Sequence, residues 1–209
     1  MSLRVRLRFS KSLLRRSERL CFAFGFICLG WCAAIAAHVW VFQAYESWAF
    51  EQQLGGEPVS VREFLVHAAS FSEPAAPAEH SIVGQIEIPR IGLKAMILEG
   101  ATRRTLADAV GHIPGTVLPG AKGNSALAGH RDTFFRGLKD IRPGDTILVT
   151  TLEGSFEYRV NDCQVVGPRD MRVLANTSEP ALTLVTCFPF RYVGPAPERF
   201  IVRATRAGS

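Results

Sequence analysis

Five cysteines are present, and only two of them stand where a thiol could do chemistry. Cys21, Cys28 and Cys32 fall inside an apolar run with no formal charge, where small side chains packed in an apolar setting account for them. Cys163 and Cys187 remain. They can pair as a disulfide, natural in an extracytoplasmic domain, or one of them can act as a nucleophile. A zinc site is poorly served, because neither a CxxC nor an HxxxH spacing occurs around these two thiols and the scattered histidines.

The surroundings of Cys187 favour a reactive thiol. In ALTLVTC, Ala181 to Cys187, alternation sends Leu182 and Leu184 to one face and Thr183, Val185 and Cys187 to the other. Cys187 thus closes a strand on its outward side, immediately before Phe188-Pro189, where an extended peptide can reach it. In ERFIVRA, Glu198 to Ala204, the same parity turns Phe200 and Val202 inward and leaves Arg199, Ile201 and Arg203 outward. If the two strands are neighbours, Arg199 stands beside Cys187. A thiol, an imidazole and a guanidinium together suit acyl transfer, with the thiolate attacking a carbonyl, the imidazole moving protons and the cation stabilising the oxyanion. The imidazole candidates are His130, which follows Gly129, and His112, which follows an expected helix end where a histidine can meet the helix dipole. Arg203 competes with Arg199 by parity, and Arg191 sits in a loop.

These groups need a scaffold, and strand signals dominate from Ile82 onward. Val83 to Ile88, Ala95 to Leu98, Ser125 to Ala128, Thr146 to Thr151, Phe156 to Val166, Leu182 to Thr186 and Phe200 to Ala204 carry β-branched or aromatic residues between Gly, Pro, Asn or Asp clusters. The convincing helix there is Thr102 to Val110, with Thr102 as N-cap and Gly111 just past its end. Many short strands joined by turns imply a mainly β fold that closes to remove its edges, and a barrel is expected.

Ahead of this domain, Leu20 to Phe42 is a charge-free run of 23 residues. At about 1.5 Å per residue it exceeds a bilayer core of about 30 Å, so it reads as a transmembrane helix. It is too long for a signal-peptide core and lacks an Ala-x-Ala cleavage pattern. Arg4, Arg6, Arg8, Lys11, Arg15, Arg16 and Arg19 precede it against the single acid Glu18, while cations and acids nearly balance beyond it. This puts the N-terminus in the cytoplasm and the rest outside. The pI of 9.2 therefore records membrane orientation and gives no support to nucleic-acid binding. The expected organisation is a basic tail (1–19), a membrane span (20–42), a stalk with a Pro-containing linker (43–81) and a folded domain (82–205). His38 lies in the span, His67 and His80 in the stalk and linker.

TLVTC (Thr183 to Cys187), Arg199 twelve residues later and LAGHRD (Leu127 to Asp132) upstream together resemble the active-site constellation of sortases, class D in particular. GQIEIPRIGLKAMILEG (Gly84 to Gly100), GHIPGTVLPG (Gly111 to Gly120), LAGHRDTFFRGL (Leu127 to Leu138) and TLVTCFPFRYVGPAPERFIVRA (Thr183 to Ala204) extend the resemblance over essentially the whole folded domain. It implies a closed eight-stranded β-barrel with one or two short helices. It also implies catalysis by Cys187, His130 and Arg199, the last chosen over Arg203 by the family register. The implied reaction cleaves an LPxTG-like sorting signal and passes the acyl group through a thioester to an amine acceptor on the cell envelope. Val185, on the face of Cys187, is a candidate substrate contact. No cofactor is called for, and metal dependence stays open. Two other readings use the same residues: a cysteine peptidase with water as acceptor, and a non-enzymatic envelope scaffold held by a Cys163 to Cys187 disulfide.

Overall fold

Alternation of apolar and polar side chains is the dominant pattern in this fold, and it lines a closed barrel. A computed structural model describes residues 11–55 and 77–208. Arg4, Arg6 and Arg8 of the basic tail, and the stalk residues Val61, Phe64, Leu65, His67 and Ala68 with the start of the linker at Ser72, lie outside the described residues. The chain forms two compact units, Met1–Phe42 and Gln43–Ser209.

In the second unit, eight strands run β1 Ile82–Ile88, β2 Leu93–Glu99, β3 Val110–His112, β4 Asn124–Ala128, β5 Thr146–Thr151, β6 Gly154–Val166, β7 Ala181–Phe188 and β8 Glu198–Arg206. They close in the order β1-β2-β3-β4-β7-β8-β6-β5, with β5 pairing back onto β1. The β2/β3 and β4/β7 pairs are parallel and the others antiparallel. Ile86, Ile88, Ala95, Ile97, Leu127, Ile147, Val149, Leu182, Leu184 and Val202 fill the interior, as the period-2 pattern requires. Tyr158 joins them fully buried, and its hydroxyl accepts a hydrogen bond from Gly120 N at 2.7 Å.

One expected boundary is corrected. Helix α2 spans Arg103–Asp108, with the Thr102 side chain accepting from Thr105 N as its N-cap, but it stops before Ala109, whose backbone is extended. Val110 begins a strand instead, because Val110, Gly111 and His112 are captured by pairing with Ile97, Leu98 and Glu99. Gly111 is therefore not a helix stop. A Cβ there would lie 2.2 Å from Gly100 O, so glycine is needed for the close approach of two strands. His112 is a strand residue, not a helix-dipole partner.

Helix α1, Lys11–Gly55, continues past the expected end of the apolar run, and its stretch Glu18–Glu51 is long and apolar enough to cross a membrane. Phe22, Phe26, Ile27, Trp31 and Trp40 are exposed along it, as lipid-facing residues would be. Its end belongs to the second unit. Gln43 Nε2 donates to Asp108 O at 2.7 Å and Gln43 Oε1 accepts from Met96 N at 2.9 Å, so one side chain holds the end of α2 and a residue of β2. Ser47 Oγ accepts from Gln85 Nε2 at 3.2 Å, and Phe50 is buried. Gln85 and Met96 are register partners on the outer wall of β1 and β2, so these last turns of α1 cover that wall.

Candidate active site

Two neighbouring strands and the end of a third carry the singled-out side chains. Cys187 on β7 is the direct partner of Arg199 on β8. On the other side of β7, β4 runs parallel, with Ala128 opposite Val185. Beyond the end of β4 the chain stays attached. Gly129 N donates to Val185 O at 3.1 Å, and the buried Thr186 hydroxyl donates to Gly129 O at 2.7 Å. His130 follows the end of β4 by two residues, on the flank of β7 opposite the one that Arg199 occupies. His130, Cys187 and Arg199 are each half-buried. Gly129 allows this path, since a Cβ there would sit 2.7 Å from the Phe135 ring.

The outward face of β7 and β8 is not open to water along its length. The connection between β6 and β7 folds over it as a short 3₁₀ turn, Met171–Leu174. Asn124 Nδ2 donates to Val173 O and Ala175 O, both at 3.1 Å, and Asn124 Oδ1 accepts from the Thr183 hydroxyl at 2.8 Å. Thr183 is consequently buried although it faces away from the core. Between this cover and the sheet lies an apolar groove lined by Ile113, Val173, Leu174, Val185 and Ile201, with Arg199 at its edge. Sequence parity assigned Thr183 to the exterior correctly and missed the cover, because Asn124 and the 171–175 turn carry no periodic signal.

The rival groups are committed elsewhere. His112 is 2% exposed, with Nδ1 at 2.7 Å from Glu99 Oε2 and Nε2 at 3.0 Å from Val117 O, so both ring nitrogens are occupied away from the groove. The His130 imidazole makes no hydrogen bond among the described residues. Arg203 is opposite Thr183, four residues along β7 from Cys187 and hence roughly 13 Å away, and it leans on Arg172 O and Val173 O. Arg191 is exposed in the β7 to β8 loop. Arg199 Nη1 donates to Glu198 O at 2.9 Å and Ala196 O at 3.3 Å, which leaves its Nε and Nη2 uncommitted among the described residues.

Cys163 and Cys187 are both free thiols. Cys163 sits opposite Val202, on a strand separated from β7 by β8, and Cys187 is level with Val166 across the same strand. Two strand spacings alone amount to roughly 10 Å, beyond the reach of a disulfide. Burial, with the charges of Asp162 and Asp145, pushes the Cys163 thiol up from its ordinary range, which makes it a poor nucleophile. The disulfide-held scaffold therefore has no basis in this fold.

With that geometry in hand, relatives are informative. A family model described as the sortase domain matches residues 86–207. The chain is 36% identical to Sortase D of Bacillus subtilis (strain 168) over 139 residues, covering 66% of this chain and 68% of that protein. It is 32% identical to Sortase A of Listeria monocytogenes serovar 1/2a over 133 residues, covering 61% of this chain and 56% of that one. Among solved structures, a Clostridium perfringens Sortase D5 transpeptidase matches at 30% identity and a TM-score of 0.62, covering 77% of this chain and 94% of that one. The chain belongs to the sortase family. It is a cysteine transpeptidase on the closed eight-stranded barrel of that family, and its relatives include class D members.

Proposed function

We propose that this chain is a membrane-anchored sortase that cleaves an LPxTG-like sorting signal through a thioester on Cys187 and transfers the acyl group to an amine of the cell envelope. In this reading α1 spans the cytoplasmic membrane once, with the N-terminus inside and the barrel outside, on the strength of the charge asymmetry around the apolar run. What supports the chemistry is the direct pairing of Cys187 with Arg199 across β7 and β8, with His130 just past the end of β4 on the other flank of β7.

The steps follow from the groups. His130 takes the thiol proton, and the Cys187 thiolate attacks the Thr-Gly carbonyl of the signal. The carbonyl electrons move onto oxygen, where the Arg199 guanidinium stabilises the oxyanion. Collapse breaks the C–N bond, and the imidazolium returns its proton to the departing amine. A thioester stays on Cys187. An incoming amine, deprotonated by His130, attacks that thioester, and the thiol is regenerated. The apolar groove beside Val185, floored by Ile201 and covered by Val173 and Leu174, suits the apolar side chains of such a signal.

The test is incubation of the full chain in detergent with a panel of LPxTx peptides, followed by intact-mass spectrometry. A covalent adduct equal to the N-terminal acyl fragment, discharged by added glycine peptides, is expected. Absence of an adduct with every peptide of the panel would contradict the reading.

A further inference from the structure

Arg131, the residue after His130, reaches across to the loop that joins β7 to β8. Its Nη1 donates to Pro189 O at 2.8 Å, and its Nη2 donates to Tyr192 O at 2.9 Å and to Gly194 O at 3.4 Å. The guanidinium carbon also lies 5.8 Å from the centroid of the Tyr192 ring. Three carbonyls of one loop thus converge on a single planar donor, a task that suits arginine and not lysine.

The loop has little else to hold its middle. It links the strand that ends near Cys187 to the strand that begins near Arg199, and among the described residues 189–197 make no backbone-to-backbone hydrogen bond. Phe190 fastens the start by packing against Phe188 and Phe200. Arg199 fastens the end through Ala196 O and Glu198 O. Between them Tyr192 is 47% exposed and Val193 is 99% exposed, so Val193 contributes nearly no apolar burial and Tyr192 only part of its ring.

We infer that Arg131 is a positioning residue of the transfer reaction: it ties the segment carrying His130 to the loop that links Cys187 and Arg199, and so holds the three groups in mutual register. This role rests on the functional reading above. Arg131 touches none of the reacting atoms, and the groove residues lie on other elements. Its loss should therefore disturb the alignment of reacting groups without weakening peptide capture, and misplacements of about 1 Å are enough to cost roughly a hundredfold in rate.

The experiment compares the unsubstituted full chain with Arg131→Ala and Arg131→Lys in detergent, measuring single-turnover acylation by an LPxTG peptide across peptide concentration. Thermal melting and trypsin cleavage after Arg191 are followed alongside. For Arg131→Ala the maximal rate should fall about tenfold or more, with the half-saturating concentration within about twofold and cleavage after Arg191 accelerated. Arg131→Lys should fall between, because an ammonium can serve only part of the three-carbonyl cluster. A retained maximal rate, a loss confined to half-saturation, or unaltered cleavage would each overturn the inference. If Arg131→Ala gives no cooperative melt, Arg131→Lys decides: a lowered maximal rate at normal melting supports the role, and an unchanged rate ends it. Failure of the unsubstituted chain to acylate is a distinct outcome, which removes the functional reading and this role with it.

Discussion

Cys187 and Arg199 face each other directly across the antiparallel β7/β8 ladder. Directly opposed residues share a face, with Cα atoms about 4.5 to 5.5 Å apart, so the Arg199 and Cys187 side chains leave the sheet side by side on one face. The twelve-residue spacing in sequence follows from the same ladder, since Phe188 and Glu198 form its last rung and 189–197 close the hairpin.

Arg199→Ala should lower turnover by about a hundredfold or more, the usual consequence of losing one oxyanion donor, at unchanged melting temperature. Steady-state kinetics and a thermal melt on the same sample decide it. Near-normal turnover would move the role to Arg203, whose position opposite Thr183 argues against it.

His130 and His112 should separate cleanly. His130→Ala should abolish acylation while leaving the melt in place. His112→Ala should lower stability by about 2 kcal/mol or more, because it strands the buried Glu99 carboxylate, and should leave turnover per folded molecule intact. Paired melting and active-site titration check both, and the reverse pattern would reassign the base.

Much of this was legible beforehand. Alternation in ALTLVTC and ERFIVRA gave the correct faces, since strand period is a local property of each segment. The adjacency of β7 and β8 was only conditional, because pairing is set by tertiary contacts; the class D resemblance supplied it. The strand Val110–His112 was missed, since three residues carry too little pattern to outweigh a helix reading of Thr102 to Val110. Arg131 stands within LAGHRD with no sequence sign of its role, because its partners are backbone carbonyls about 60 residues away, and carbonyls leave no trace in side-chain identity.

The end of α1 should prove part of the folded unit that carries the barrel. Phe50→Ala should destabilise that unit by about 3 kcal/mol, as expected for a fully buried phenylalanine, and Gln43→Ala should also destabilise it by removing the hydrogen bonds to Met96 N and Asp108 O. Chemical denaturation of the full chain in detergent reads both effects. Unchanged midpoints would mean the barrel does not depend on these turns.

Stability should fall on the acid side through Asp145. The Arg90 guanidinium, hydrogen-bonded to it, holds the Asp145 carboxyl below its usual range, and Arg142 N adds a bond at 2.7 Å. The folded chain therefore binds that proton less readily than the unfolded chain. The stabilisation is present above the ordinary carboxylate value of about 3.9 and is lost as pH falls toward the depressed folded value. Melting of Asp145→Asn against the parent chain should differ at pH 7, and the difference should begin to shrink only as pH falls below about 4. A difference independent of pH would contradict the pairing.

Intact-mass spectrometry of the acylated chain tests the central claim most directly, using the parent, Cys163→Ala and Cys187→Ala with one LPxTG peptide. The account predicts an adduct of equal mass on the parent and on Cys163→Ala, and none on a folded Cys187→Ala. An adduct on Cys187→Ala, or its disappearance from Cys163→Ala, would contradict it.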